Sequence, residues 1–165
     1  SYLFKGTVEE NLKMAKPDAT KEEMEAVLQK VNLLGFLQTQ DGLQTQLLEK
    51  ASNLSGGQCQ RLVIARALLK EDSKVYIFDE AASNIDVESE ELIMNVIHNL
   101  AKTKTVLLIS HRLANVVKSD KIYFLKDGEI KESGKHEELM SQNGAYRHLY
   151  ESQMALENYG KGGVA

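Results

Sequence analysis

The chain has 165 residues, of which 42% are hydrophobic and 27% charged, so it is long enough for one ordinary globular domain with a buried core. Its formal net charge of −4 and the mixing of Lys with Glu along the chain argue against nucleic acid as a partner. The single Cys59 excludes an internal disulfide, and the sequence shows neither a secretory signal nor a long apolar run, so we predict a reducing, cytosolic setting.

The first third of the sequence has a helical pattern that breaks at Pro17. The segment TVEENLKMA precedes the break, and TKEEMEAVLQKV follows it, with Asp18 or Thr20 as a candidate cap. The second segment has an apolar stripe that consists of Met24, Val27, Leu28 and Val31. Residues 38–53 are polar without a sustained period and predict a loop, and a further helix is expected from about Ser55 to Leu69. We therefore predict an α-helical subdomain over residues 1–70.

The remaining residues, 71–165, predict alternating strands and helices. The runs VYIFD at 75–79 and TVLLIS at 105–110 are typical of strands buried on both faces, and the helical period between them predicts a crossover unit with parallel strands. Two more strands, KIYFLK and EIKES, are joined by Asp127-Gly128, a two-residue hairpin signal, and helical segments follow. The fold class is therefore α/β with a mainly parallel sheet.

The run LSGGQCQR at 54–61 contains the first candidate site. Ser55, Gly56, Gly57 and Gln58 open the predicted helix, where free backbone amides and the helix dipole favour an anion such as a phosphate. The alternative is a serine-capped helix start whose glycines allow tight packing. Glycine costs about 1 kcal/mol against alanine within a helix, so we interpret the pair as a place where a phosphate approaches the backbone.

Asp79 and Glu80 end the first predicted strand, at the edge where parallel sheets collect ligands. We predict that Asp79 holds Mg²⁺, directly or through water, and that Glu80 orients or deprotonates an attacking water. The alternative is an acidic residue that caps the next helix.

His111 follows the second predicted strand at the equivalent edge, so we expect its imidazole to reach the same crevice and contact a terminal phosphate. A structural histidine is the alternative, and metal ligation lacks a partner at a suitable spacing. We interpret His98, His136 and His148, which fall on predicted helices, as solvated or structural.

These motifs, in this order, closely resemble the ATP-binding domain of ABC transporters. LSGGQ resembles the signature motif of that family, VYIFDE its Walker B motif, SNID its D-loop, and His111 its switch histidine. YLFKGTVEENL is similar to the segment after the Q-loop. QTQLLEKASN is similar to the X-loop of exporters, with Gln46 where an acid is usual and Ala51 where glycine is usual.

The resemblance implies a partial P-loop NTPase-like core, with residues 71–165 as the carboxyl half of a RecA-like ATPase core. It implies ATP and Mg²⁺ as ligands, Glu80 and His111 as catalytic residues, Asp79 as the metal residue, and hydrolysis that drives transport. Ser55, Gly56, Gly57 and Gln58 would bind the γ-phosphate held by a second nucleotide-binding domain, identical or related, and Asp86 would couple the two sites. A transmembrane domain, fused or separate, would place the protein at the cytoplasmic face of the cell membrane.

No G-x-x-x-x-G-K-[ST] run occurs in the sequence. The resemblance thus implies the carboxyl two-thirds of a nucleotide-binding domain, which we expect to be inactive in ATP hydrolysis by itself because the P-loop lysine is missing. Two alternatives remain: a non-hydrolytic interaction fragment, and a soluble ABC-type ATPase that lacks membrane spans.

Overall fold

The computed structural model describes residues 2–83 and 85–161, with side chains as far as residue 157. The helices are α1 (Val8–Lys13), α2 (Lys21–Lys30), α3 (Leu34–Gln38), α4 (Gly56–Leu68), α5 (Val87–Ala101), α6 (His136–Ser141) and α7 (Ala145–Lys161). The strands are β1 (Gly6–Thr7), β2 (Gln46–Leu47), β3 (Val75–Asp79), β4 (Thr105–Ile109), β5 (Ile122–Lys126) and β6 (Glu129–Gly134). Short 3-10 turns cover Gly42–Gln44, Glu49–Ala51 and Leu113–Asn115. The chain divides into two compact units, Ser1–Leu107 and Leu108–Ala165.

The first helices begin at capping boxes that the sequence encodes locally. Thr7 Oγ1 accepts from the amide of Glu10 at 3.0 Å, and Glu10 Oε2 accepts from the amide of Thr7 at 2.7 Å. Thr20 and Glu23 form the same reciprocal pair at the start of α2, so Thr20 is the cap. Each box satisfies two backbone donors that a helix start would otherwise leave without an acceptor.

The core of the first unit is formed by the apolar stripes of these helices. The stripe predicted for α2 is buried, with exposures of 0–2%. Fully buried large side chains from the helices and from β2 join it; they include Leu12, Leu37, Leu47, Leu62, Ile93 and Ile97. Burial of each such side chain contributes roughly 1.5–3 kcal/mol relative to its exposure, so this core holds the helices together.

The strands β3 and β4 confirm the predicted parallel crossover unit. They are neighbours in one sheet with α5 between them in the sequence. The amide of Thr105 at the start of β4 donates to the carbonyl of Lys74, just before β3, at 3.0 Å, so both strands begin at the same edge and run in the same direction. The fold is therefore mixed α/β, as predicted.

Burial on both faces was expected for β3 and β4 and is wrong for both strands within the described residues, since one face of each strand is exposed. Tyr76 and Phe78 are buried, whereas Val75 and Ile77 are 56% and 64% exposed. Successive side chains of a strand point to opposite faces. The apolar character of the exposed pair therefore reflects a face that the described residues leave uncovered.

The second unit is built on an antiparallel hairpin with two helices. Strands β5 and β6 pair with Lys126 opposite Glu129, and Asp127 and Gly128 between them have φ values of 53° and 77°. Positive φ at both turn residues is the type I′ geometry that the Asp-Gly pair predicts. The core of the unit contains Leu113, Val116, Ile122, Leu139 and the fully buried Tyr146.

The boundary between the two compact units falls between Leu107 and Leu108, within β4. The boundary between residues 1–70 and 71–165 that we expect follows motif content instead, and it stays a prediction. Within the described residues, every helix falls short of the length and apolar content that a membrane crossing requires.

Candidate functional site

The start of α4 carries the four residues of the predicted phosphate-binding turn. Ser55 is the N-cap: its Oγ accepts from the amide of Gln58 at 3.2 Å, and Gln58 Oε1 accepts from the amide of Ser55 at 2.8 Å. The amides of Gly56 and Gly57 are the first two of the helix, positions that have no acceptor inside an α-helix. Ser55 therefore caps the helix, as the alternative interpretation proposed. The same helix start also has free backbone amides and the positive end of the helix dipole, both of which favour an anion.

The two glycines differ in their surroundings. Gly56 is exposed, whereas Gly57 is buried against Ser89 of α5. A Cβ added at Gly57 would lie 2.5 Å from Ser89 Cβ and 3.2 Å from Asp86 Oδ2. Helix packing, the alternative interpretation, therefore accounts for the glycine at position 57. Its role in phosphate binding stays a prediction.

Asp86 lies beside this turn as the N-cap of α5. Its Oδ1 accepts from the amide of Ser89 at 2.8 Å. This hydrogen bond from the backbone lowers the pKa of Asp86 below its ordinary value, with a smaller contribution from the charge of Arg61. Arg61 in turn donates from Nη1 to the carbonyl of Asn32 at 2.8 Å. The structure therefore brings Asp86 together with the opening of α4.

Asp79 and Glu80 are both exposed at the carboxyl end of β3. Glu80 has a φ of 49°, in the left-handed region that residues other than glycine seldom adopt. Its carbonyl accepts from the amide of Ser83 at 3.0 Å and so closes the turn that follows the strand. Strained backbone of this kind is concentrated at functional sites, where the surrounding structure maintains it. Asn84 of the SNID segment lies outside the described residues.

His111 belongs to the second unit and follows β4 after one intervening residue, Ser110. It is exposed, and its carbonyl accepts from Nε2 of Gln153 in α7 at 2.8 Å. Ser110 Oγ accepts from the amide of Arg112 at 3.0 Å and shapes the turn around the histidine. A shared crevice for His111, Asp79 and Glu80 stays a prediction.

A cleft of about 410 Å³ in the first unit adjoins the start of α4. Its walls are formed by Tyr2, Leu3, Lys50, Gly56, Cys59, Gln60, Val63, Ser83 and Ile85. Of the predicted site residues that the structure describes, Gly56 lines it. Partial burial raises the pKa of the Cys59 thiol, which disfavours the thiolate form.

The segment similar to an X-loop forms a compact turn before α4. Asn53 bridges it, since Oδ1 accepts from the amide of Leu48 and Nδ2 donates to the carbonyl of Gln46, each at 2.9 Å. Ala51 has a φ of 53°, a conformation that favours glycine. The glycine that is usual at this position in the family therefore fits the backbone that the structure has here.

Two contributors to these sites escape the sequence analysis. Ser89 packs on Gly57, and its backbone amide donates a hydrogen bond to Asp86. Gln153 reaches the backbone next to His111 from a helix 42 residues away. The hydrogen bond between Asp86 and Ser89 could have been predicted, because the side chain of an N-cap residue accepts from the backbone amide three residues later. No local pattern identifies the glutamine.

Comparison with known proteins identifies the family of this chain. Residues 1–83 match the family model described as ABC transporter, which is half of the chain. An uncharacterized ABC transporter ATP-binding protein of Haemophilus influenzae is 53% identical over 157 residues, covering 95% of this chain and 28% of that protein. An ATP-dependent lipid A-core flippase of Mannheimia succiniciproducens is 44% identical over 92% of this chain and 26% of its own length.

The fold has a solved counterpart. The structure of a bacterial Atm1-family ABC exporter with ATP bound superimposes with a TM-score of 0.84 at 30% identity, over 93% of this chain and 27% of that one. The chain spans about a quarter of the length of these relatives. From its glycine-opened helix, its acid-tipped strand and these matches together, we conclude that the chain belongs to the ABC transporter family.

Proposed function

We propose that this chain is part of the ATP-hydrolysing motor of a membrane exporter, which converts ATP to ADP and phosphate and couples the reaction to transport. The observation that carries the proposal is the exposed pair Asp79 and Glu80 at the end of a parallel strand, in a chain of the ABC transporter family. The name of one relative, a lipid A-core flippase, and that of the solved counterpart, an ABC exporter, support the export direction.

In this proposal Asp79 holds Mg²⁺ and Glu80 acts on the attacking water. Mg²⁺ is commonly held by one or two carboxylates together with phosphate oxygens and water, so a single exposed aspartate fits it. The described residues contain no group of three or more His, Cys, Asp or Glu arranged to hold a metal. When bound, the ion would neutralise charge that develops on the phosphates. His111 contacts the terminal phosphate.

The opening of α4 serves a second nucleotide site. Ser55, Gly56, Gly57 and Gln58 bind the γ-phosphate of ATP held by another nucleotide-binding domain. The capping box uses Ser55 Oγ and Gln58 Oε1 as acceptors, so the hydroxyl hydrogen of Ser55 and the amide nitrogen of Gln58 remain donors for an anion. Asp86, next to this turn, couples the two sites.

The partners follow from this arrangement. They are a second nucleotide-binding domain, identical or related, and a transmembrane domain that places the motor at the cytoplasmic face of the membrane. The relatives are about three and a half times as long as this chain, which leaves room for a fused membrane domain.

The test is Glu80→Gln in the complete protein that contains this chain. We expect ATP turnover to fall by about 10²-fold or more while ATP binding is retained, because the amide keeps the shape but loses the base. Glu91→Gln, an exposed glutamate on α5, is the matched control and should turn over ATP at the normal rate. Near-normal hydrolysis by the Glu80 variant would refute the assigned role.

The 165 residues alone are proposed to be inactive. Their sequence lacks the lysine-containing phosphate loop that supports the β- and γ-phosphates, so ATP affinity should be very low. Measurable, Glu80-dependent turnover by the purified chain would contradict this.

A further inference from the structure

The turn that follows β4 is held by its own side chains. Ser110 Oγ accepts from the amide of Arg112 at 3.0 Å and donates to the Arg112 carbonyl at 3.1 Å. This closes a tight turn around His111, whose side chain is exposed. The position of the backbone from which the imidazole projects therefore depends on how this short turn is anchored.

Helix α7 supplies that anchor from a distant part of the sequence. Gln153 donates from Nε2 to the carbonyl of His111 at 2.8 Å and accepts at Oε1 from the amide of Leu113 at 2.9 Å. One helical turn further on, Glu157 pairs with Arg112 at 2.9 Å. Two successive turns of α7 thus hold three consecutive residues of the turn, with both ends of one amide engaged.

Helix α7 is itself fixed at its beginning. The carboxylate of Glu132 in β6 accepts from the amide of Ala145 at 2.6 Å and from that of Tyr146 at 3.3 Å. Tyr146 is fully buried, and its hydroxyl bonds Nδ1 of His136 at 2.8 Å. A helix held in this way cannot rotate or slide freely, so Gln153 is kept at a defined position.

We propose that Gln153 is a positioning residue for His111, and that α7 sets the reach of the histidine toward the terminal phosphate. This inference rests on the proposed function, in which His111 contacts that phosphate. Gln153 does not touch the substrate. It acts by fixing the two peptide groups that directly follow the histidine, through the His111 carbonyl and the Leu113 amide. A displacement of about 1 Å at a reacting group can cost up to 10²-fold in rate.

The experiment uses the complete protein with Gln153→Met, which keeps the length of the side chain and removes both hydrogen bonds. We expect kcat for ATP hydrolysis to fall about ten-fold or more with KM for ATP within about two-fold, because positioning acts on the chemical step. Glu157→Gln is the second variant, with a loss of about two- to three-fold expected for a partly exposed ion pair. Glu151→Gln is the matched control: it removes a carboxylate that pairs with Arg147 within α7 and does not reach the turn.

Two further readouts separate positioning from general damage. In a His111→Ala background, Gln153→Met should change the residual kcat by less than about two-fold, since the group that it positions is already gone. Hydrogen exchange at the Leu113 amide should accelerate in Gln153→Met and stay unchanged in Glu151→Gln.

The possible results distinguish this inference from the proposed function. Wild-type protein that binds but does not hydrolyse ATP would overturn both. An active wild type with unchanged kcat in Gln153→Met, or with losses that multiply in the His111→Ala background, would overturn only the role of Gln153. Loss of Leu113 protection together with non-multiplying losses of kcat would support it.

Discussion

Substitution of Gly57 by alanine tests the packing at the opening of α4. The new Cβ would lie 2.5 Å from Ser89 Cβ, whereas ordinary carbon–carbon contacts are about 3.5 Å or longer, so Ser89 must retreat by about 1 Å. It would also lie 3.2 Å from Oδ2 of Asp86, the residue whose other carboxylate oxygen, Oδ1, caps α5 by accepting from the amide of Ser89. The strain thus falls on both helices at once.

The expected cost is worked from two effects. Overpacking of this kind costs about 1–3 kcal/mol, and a weakened cap adds up to about 1 kcal/mol. The gain in helix propensity from glycine to alanine offsets about 1 kcal/mol of this at most. We therefore expect Gly57→Ala to lower the free energy of unfolding by about 1–3 kcal/mol.

Urea denaturation followed by circular dichroism measures this change, with Gly35→Ala as the matched control. Gly35 lies in α3, and a Cβ there meets no atom within 4 Å, so this variant should be neutral or slightly more stable. Ser89→Gly is the compensating substitution. It removes the side chain that would clash with the new Cβ and keeps the backbone amide that donates to Asp86. The double variant Gly57→Ala, Ser89→Gly should show a favourable coupling of about 1 kcal/mol or more. A Gly57→Ala chain as stable as the wild type, or no coupling with Ser89→Gly, would refute the reasoning.

Three further predictions concern stability. Gly128→Ala should destabilise the hairpin by about 1–2 kcal/mol, because position 128 has a φ of 77°, which is unfavourable for alanine. A Cβ there meets no atom within 4 Å, so the whole cost comes from the backbone conformation, and a lower midpoint of thermal unfolding checks it. Asp86 has a lowered pKa, so its contribution is present above the unfolded pKa of about 3.9 and is lost as the pH falls through the folded value; Asp86→Asn should flatten the acid limb of a pH series of urea midpoints. Tyr146→Phe removes the hydroxyl bond to His136 and should cost about 1 kcal/mol; an unchanged unfolding midpoint would show that this bond contributes nothing.

Much of the secondary structure could be predicted because its causes lie within a few residues. Thr20 and Glu23 are three apart and cap each other, and Asp127 and Gly128 determine a two-residue turn whatever surrounds them. The alternation in β3 was harder to interpret. An apolar run predicts burial on both faces, but burial depends on what covers each face, and Ile77 is exposed here.

The part of the candidate site that could be predicted consists of residues whose chemical type and position along the chain suggest a role. Asp79 and Glu80 were located by their place after an apolar run, and the structure adds the left-handed backbone of Glu80, which no residue preference would suggest. Gly57 shows the limit of this approach, since a glycine records only that something comes close. The packing of α5 shows that Ser89 is one such neighbour, and binding of a phosphate at the same glycine stays a prediction.

The sequence by itself determined the order of the main helices and of strands β3 to β6, several of their caps and turns, and the motifs that resemble those of ABC transporters. It did not predict the short strands β1 and β2, the second of which lies in the segment expected to be a loop. Tertiary structure alone decided that Ser89 approaches Gly57 and that Gln153 holds the backbone next to His111. The physical reason is distance along the chain. Caps and turns depend on neighbours that are always present, whereas contacts between remote residues form only when the packing of whole helices brings them together.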